Sequence, residues 1–263
     1  MASARPGVSV LNVHLRLVYV FLYAPILVLM VLSLNKGGMP TAWTGVSFKW
    51  YVRLAESPEI ISAAVNTLIV AVVSTVIATI LGTLLALGVE RRRASSGLDA
   101  LLFAPMIIPD IVLAIALLSL FTLLEVTLGL HSIILSHVVF NIAFVCAVVR
   151  TRLKHFDHSV IEASADLGAG EFTTFRRVTL PMIFPGVLAG ALLAFTLSVD
   201  EFIIAFFTAG AGSSSTTLPM RIYSMIRFGV TPEINAMATI VMFVSFTLVF
   251  LSQRVNKGAI TGE

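Results

Sequence analysis

The chain has 263 residues, 58% hydrophobic and 12% charged, with a mean hydropathy of +1.00. Soluble globules average about 45–50% apolar and about 25% charged residues, so the composition excludes a soluble globule and describes a multi-span membrane protein. The net charge of +3 fits asymmetric loops better than a nucleic-acid surface, and a single cysteine, Cys146, excludes an intrachain disulfide.

The first apolar run, residues 15–34, follows Arg5, carries Arg16 at its start and is long enough to span; it reads as an uncleaved first helix. Asn35-Lys36-Gly37-Gly38 ends it. A polar stretch follows, carrying Trp43, Trp50 and Tyr51, residue types that favour the membrane–water boundary. Span two is residues 63–89, stopped by Glu90-Arg91-Arg92-Arg93; Ser62 and Asn66 open it and need no function. Span three, 98–124, contains Pro105 and Pro109, which should kink or break it. Span four is 132–149 and ends at Arg150.

Between Ser159 and Pro181 the chain is too polar to enter a bilayer, yet apolar runs flank it. Ser159 with Glu162 fits a capping box, and Gly168 sits where a helix stops. A second short helix from Glu171 would share a face of Phe172, Phe175 and Val178, and Pro181 would close the unit. An apolar face on a loop in water calls for a partner to cover it. Span five is 185–208 and span six 234–252, with a polar connection between them.

Six spans place both termini on one side. Arg5, Arg16, Arg91, Arg92, Arg93, Arg150, Arg152, Lys154, Arg176, Arg177, Arg254 and Lys257 fall on that side, against Lys36, Lys49, Arg53, Arg221 and Arg227 opposite. The positive-inside rule then makes the termini and the polar loop cytoplasmic. The expected fold class is an all-α membrane protein with six transmembrane helices and a cytoplasmic helical loop. Its parts are a tail at 1–14, a membrane domain at 15–252 with the loop at 150–184, and a tail at 253–263.

Four groups of side chains carry candidate chemistry. Asp110, Asp200 and Glu201 lie inside spans three and five, where a carboxylate costs about 2.5–3.5 kcal/mol and lines a watery path or pairs with a cation. Counted at about 1.5 Å per residue, Asp110 is about 18 Å and Asp200 about 22 Å from the cytoplasmic end. Asn141 on span four reaches a similar depth. Together they make a polar ring suited to a cation, with Phe202 or Phe206 nearby. Asp110 has an equal alternative, holding the positive end of a half-helix after Pro109. Helical neighbours point about 100° apart, so one of Asp200 and Glu201 is expected to face the path. His155 and His158 have a weak metal-ligand spacing and are read as structural, so no metal is expected. Arg176 and Arg177 are explained by orientation alone.

Glu162-Ala163-Ser164, three residues, Gly168, nine residues, then Val178-Thr179-Leu180-Pro181 resembles the cytoplasmic signature of bacterial ABC importer permeases. That signature is E-A-A, three residues, G, nine residues, I, any residue, L-P. Ser164 for Ala and Val178 for Ile are departures. Beyond this motif the chain resembles the PotC-type, spermidine/putrescine branch of the MetI-like permeases. The supporting stretches are Pro109-Asp110-Ile111-Val112, Leu153 to Asp157, Asp166 to Ala169, Thr196 to Glu201, Ile222 to Met225 and Pro232 to Ala236. The position of Glu201 is one where Asp is also common in that branch.

The resemblance implies a permease subunit of a polyamine importer in the bacterial inner membrane, working by alternating access. Glu162, Ala163, Ser164, Asp166 and Gly168 would couple it to an ATPase. Asp110, Asn141, Asp200 and Glu201 would line the substrate path. Its partners would be a second related permease, two copies of an ATPase subunit, an extracytoplasmic polyamine-binding protein and membrane lipid, with no nucleic acid. The chain has no G-x-x-x-x-G-K-[ST], so it is expected to be no enzyme and to hold no cofactor. ATP and Mg would belong to the partner. Other small cargoes, iron or a phosphonate, stay open. So does an ion-coupled carrier, although the paired repeats typical of such carriers are not visible.

Overall fold

The computed structural model describes residues 6–38, 42–92, 96–154, 156–157, 159–212, 214–227, 229 and 231–261. Arg5, Arg93, His155 and His158 lie outside the described residues. In chain order the helices are α1 (Pro6–Ser33), α2 (Lys49–Glu56), α3 (Pro58–Arg92), α4 (Ser96–Ile107), α5 (Asp110–Leu123), α6 (Leu130–Leu153), α7 (Ser159–Asp166), α8 (Glu171–Thr174), α9 (Leu180–Asp200), α10 (Ile203–Thr208), α11 (Leu218–Ile226) and α12 (Pro232–Thr261). Phe175–Thr179, between α8 and α9, is a π-turn. Among the described residues four helices are long and apolar enough to cross a membrane, and the pair α4–α5 makes a fifth candidate. The apolar part of α12, Pro232–Thr247, is shorter.

The chain divides into two compact units. Residues 1–61 and 222–263 form one, in which α1 and α2 both pack on α12. The turn after α1 is organised by Asn35. Its Nδ2 donates to the Ala42 carbonyl at 2.8 Å, and its Oδ1 accepts the N–H of Thr44 at 3.0 Å. Trp50 was expected at the membrane boundary. Its ring is buried within the chain, with Nε1 donating to the Asn35 carbonyl at 2.7 Å. An indole N–H turned inward needs such an acceptor. Trp43 remains half exposed.

Residues 62–221 form the second unit, built around α6. Helix α9 lies along α6 through Gly186, Gly190, Ala194 and Ser198, all buried and spaced by four. Helix α3 meets α6 at Gly82, where a Cβ would stand 2.8 Å from Val145 Cβ and 3.0 Å from the Ile142 carbonyl oxygen. Apolar side chains gain nothing by leaving lipid for one another, so close backbone approach through small residues is what holds such helices together. Asn66, read as a mere opening residue, donates to the carbonyls of Ser214 and Thr216 at 2.9 and 3.0 Å. With Thr67 Oγ1, which accepts the N–H of Leu218, it ties the connection after α10 to α3.

Two span boundaries differ from expectation. Span three is broken, as its prolines suggest, but by a 105° bend between α4 and α5, with Pro109 at the break and Pro105 inside α4. The residue before a proline avoids the helical region, and Ile108 is that residue. A straight-helix ruler from Leu98 therefore does not measure the depth of Asp110. Pro181 does not close the two-helix unit. The chain stays helical from Glu171 to Asp200, and the N–H of Leu180 bonds the Phe175 carbonyl across the π-turn. The wider turn accommodates a proline that has no N–H to give to the residue four back. Span five then ends at Asp200 rather than Thr208, and α10 is a separate short helix.

Candidate functional site

The polar loop between Ser159 and Pro181 is built as a turn between α7 and α8. The N–H of Ser159 is accepted by the Asp157 carboxylate at 2.9 Å, so the helix start is held from Asp157 where the Ser159–Glu162 box was expected. Gly168 has φ +78°, with the Gly168 N–H on the Ala165 carbonyl and the Ala169 N–H on the Ser164 carbonyl. This is the Schellman stop, which needs a left-handed residue at that position. Ser164 Oγ lies 2.9 Å from Thr174 Oγ1. The hydroxyl that separates Ser164 from the signature alanine thus fastens α7 to α8. Glu162, Ala163, Asp166 and Gly168 are exposed, and Leu167 and Phe172 are 89% and 73% exposed. A groove of about 720 Å³ opens beside the loop, lined by residues that include Leu84, Leu87, Ile161, Phe172 and Phe175.

Arg150 secures the neighbouring ends of α3, α4 and α6. Its Nη1 donates to Asp99 at 2.7 Å, its Nε is 4.0 Å from Glu90, and its guanidinium stacks 5.5 Å from the Phe103 ring.

The polar residues expected along the path divide sharply. Asp110 is the first residue of α5 and exposed. Asp200 is the last residue of α9 and exposed. Glu201 leaves the helix in an extended conformation, and its side chain is only 7% exposed. Its two carboxylate oxygens accept the N–H groups of Ile204 and Ala205, both at 2.9 Å. The carboxylate thereby starts α10 and meets the positive end of that helix. The two acidic neighbours are therefore parted by the end of a helix, not by 100° around one. The Phe202 and Phe206 rings meet at a tilt of 41°, with 5.4 Å between centroids. Asn141 is fully buried, with neither Oδ1 nor Nδ2 hydrogen-bonded. An orphaned buried polar group costs about 1–3 kcal/mol.

One residue of this region was not anticipated. His137, one turn from Asn141 on α6, has Nδ1 2.6 Å from Ser198 Oγ and Nε2 3.5 Å from Glu201 Oε2. Ser198 Oγ is 3.1 Å from Ser74 Oγ on α3. The signal was present as a polar stripe, Ser136-His137 and Asn141, inside an apolar run. Serine, histidine and glutamate at these distances invite comparison with a nucleophilic triad. There the ring's Nε2 serves the serine, whereas here Nδ1 does. Ser198 is also 2% exposed between helices, so no acyl group reaches it. Among the described residues no cluster of three His, Cys, Asp or Glu side chains could hold a metal.

The family model for the binding-protein-dependent transport system inner membrane component matches residues 78–260. The spermidine/putrescine transport system permease protein PotC of Haemophilus influenzae is 40% identical, over 94% of this chain and 96% of its own. The putrescine transport system permease protein PotI of Escherichia coli is also 40% identical, over 93% and 91%. In fold, the chain resembles a crystal structure of a bacterial ABC transporter involved in the import of the acidic polysaccharide alginate, with a TM-score of 0.78 and 14% identity over 97% of this chain and 99% of that one. The broken span, the signature loop with its Schellman stop and this coverage lead to one conclusion: the chain belongs to the family of inner membrane components of binding-protein-dependent transport systems.

Proposed function

We propose that the chain is one permease subunit of an ATP-driven polyamine importer. The observation that carries this is the 40% identity, across nearly the whole length, to permeases named for spermidine and putrescine. The membrane-embedded acidic residues support a cationic cargo, because a carboxylate in a bilayer is stabilised by a passing or resident cation. Asp200 and Asp110, both exposed, would meet that cargo. Asn141 and Glu201 would shape the path from behind. The subunit would pair with a related permease and receive polyamine from a soluble binding protein outside. The exposed α7 segment with Glu162, Ala163, Ser164, Asp166 and Gly168 would seat in a partner ATPase, which supplies ATP and Mg chemistry. Both termini and this loop would face the cytoplasm.

The direct test is uptake of radiolabelled spermidine and putrescine by cells carrying the complete transporter. Asp200→Asn with Glu201→Gln is expected to abolish uptake at wild-type levels of assembled complex. Uptake at the wild-type rate would remove these carboxylates from the path. Glu162→Arg is expected to uncouple ATP hydrolysis from uptake. Unchanged uptake together with unchanged copurification of the ATPase would overturn the docking role.

A further inference from the structure

His137 is 1% exposed in the middle of an apolar span, yet it meets polar groups from two other segments. Nδ1 lies 2.6 Å from Ser198 Oγ on α9, and Ser198 Oγ lies 3.1 Å from Ser74 Oγ on α3. Nε2 makes no hydrogen bond and faces Glu201 Oε2 at 3.5 Å. Glu201 is held in turn by the N–H groups of Ile204 and Ala205.

For a neutral ring facing a carboxylate, these contacts select one placement of the protons. An ionised carboxylate only accepts. A bare Nε2 would set its lone pair against that carboxylate and be left an orphan. A protonated Nε2 points its N–H at a negative oxygen. In a neutral ring a proton on Nε2 leaves Nδ1 as the acceptor. Ser198 must then donate its hydroxyl proton to Nδ1, and it accepts from Ser74. The other acceptor open to Ser74, the Ala71 carbonyl, is farther away at 3.4 Å. Every group donates in the same direction, from α3 through α9 and α6 to the break at Glu201.

We propose that His137, kept as the neutral Nε2–H tautomer by Ser198, is the positioning residue that holds the Glu201 carboxylate inward at the α9–α10 break. This divides two adjacent carboxylates by task. Glu201 is engaged inside the protein, and Asp200 is left exposed for a cation. The effect on transport rests on the polyamine-importer reading; the tautomer does not.

Solid-state 15N NMR of the assembled, histidine-labelled transporter in lipid reads the tautomer, with the His137 signal identified by its loss in His137→Gln. The expected ring is protonated on Nε2 and bare on Nδ1. A proton on Nδ1 alone, or on both nitrogens, overturns the proposal. Spermidine uptake supplies a second readout. His137→Gln, whose amide N–H can reach toward Glu201, is expected to stay within about threefold of wild type. His137→Leu is expected to lose about tenfold in maximal rate with KM unchanged. Equal losses in the two variants at normal complex yield overturn the positioning role. If His137→Leu does not assemble, the tautomer and the Gln variant decide. Should the wild-type complex move neither spermidine nor putrescine, the cargo assignment fails, while the NMR result still judges His137.

Discussion

Val10–Ser33 of α1 and Leu130–Leu153 of α6 are both 24 residues long, and an 18-residue apolar stretch of each has the same mean hydropathy of 2.3, yet 0% of that stretch in the first and 61% in the second is buried inside the protein. The difference lies in what accompanies the apolar residues. Helix α1 carries large side chains all round, with Leu17, Val20 and Phe21 each more than 60% exposed. Helix α6 carries Ser132, Ser136, His137 and Asn141, all buried, and faces glycines and alanines of α3 and α9. Hydropathy selects the solvent a helix lives in, lipid for both. Polar side chains and small neighbours select which helix is surrounded by protein.

Substitutions at matched points can break that comparison. The largest effect is expected at Gly82. Gly82→Val would press a branched side chain on Val145 and on the Ile142 carbonyl, which cannot swing away. Such overpacking costs about 1–3 kcal/mol or more, measured as lower thermal stability or yield of the detergent-purified complex. Asn141→Leu should act in the opposite sense. It removes two orphaned polar atoms while keeping the shape, so stability should hold or rise by about 1–3 kcal/mol. If Asn141 shapes the path, uptake falls in the same variant. Leu17→Ala on α1 is the smallest, within about 0.5 kcal/mol. A loss there as large as at Gly82 would show that α1 is covered by protein after all.

Much of this was legible in the sequence, for identifiable reasons. Gly168 announced a helix stop because few other residues adopt its φ of +78°. The Pro105–Pro109 pair announced a break, since a proline removes a donor wherever it stands. Both are local effects, carried by the residue itself. The inward turn of Trp50, the clasp of Asn66 on residues 214 and 216, and the link from Ser74 to Glu201 depend on partners far away in the chain. His137 was passed over because a single histidine in an apolar run carries no motif. The helix of span five was misjudged at both ends because one proline was read as a terminator and one carboxylate pair as mid-helix. The structure shows a proline absorbed by a wider turn and a glutamate that begins a new helix.

The wider turn at Phe175–Thr179 has a mechanical consequence. Thr174, Thr179, Ile183, Gly186 and Gly190 are all buried, and the first interval is five residues where the later ones are three or four. The single added residue keeps one seam in register on both sides of Pro181, so the loop end and the membrane end of the rod share a face. Continuous over 30 residues, about 45 Å at 1.5 Å per residue, the rod would act as a lever if it moves as one piece. A tilt of about 5° applied at the loop would carry Asp200 sideways by about 4 Å over that length.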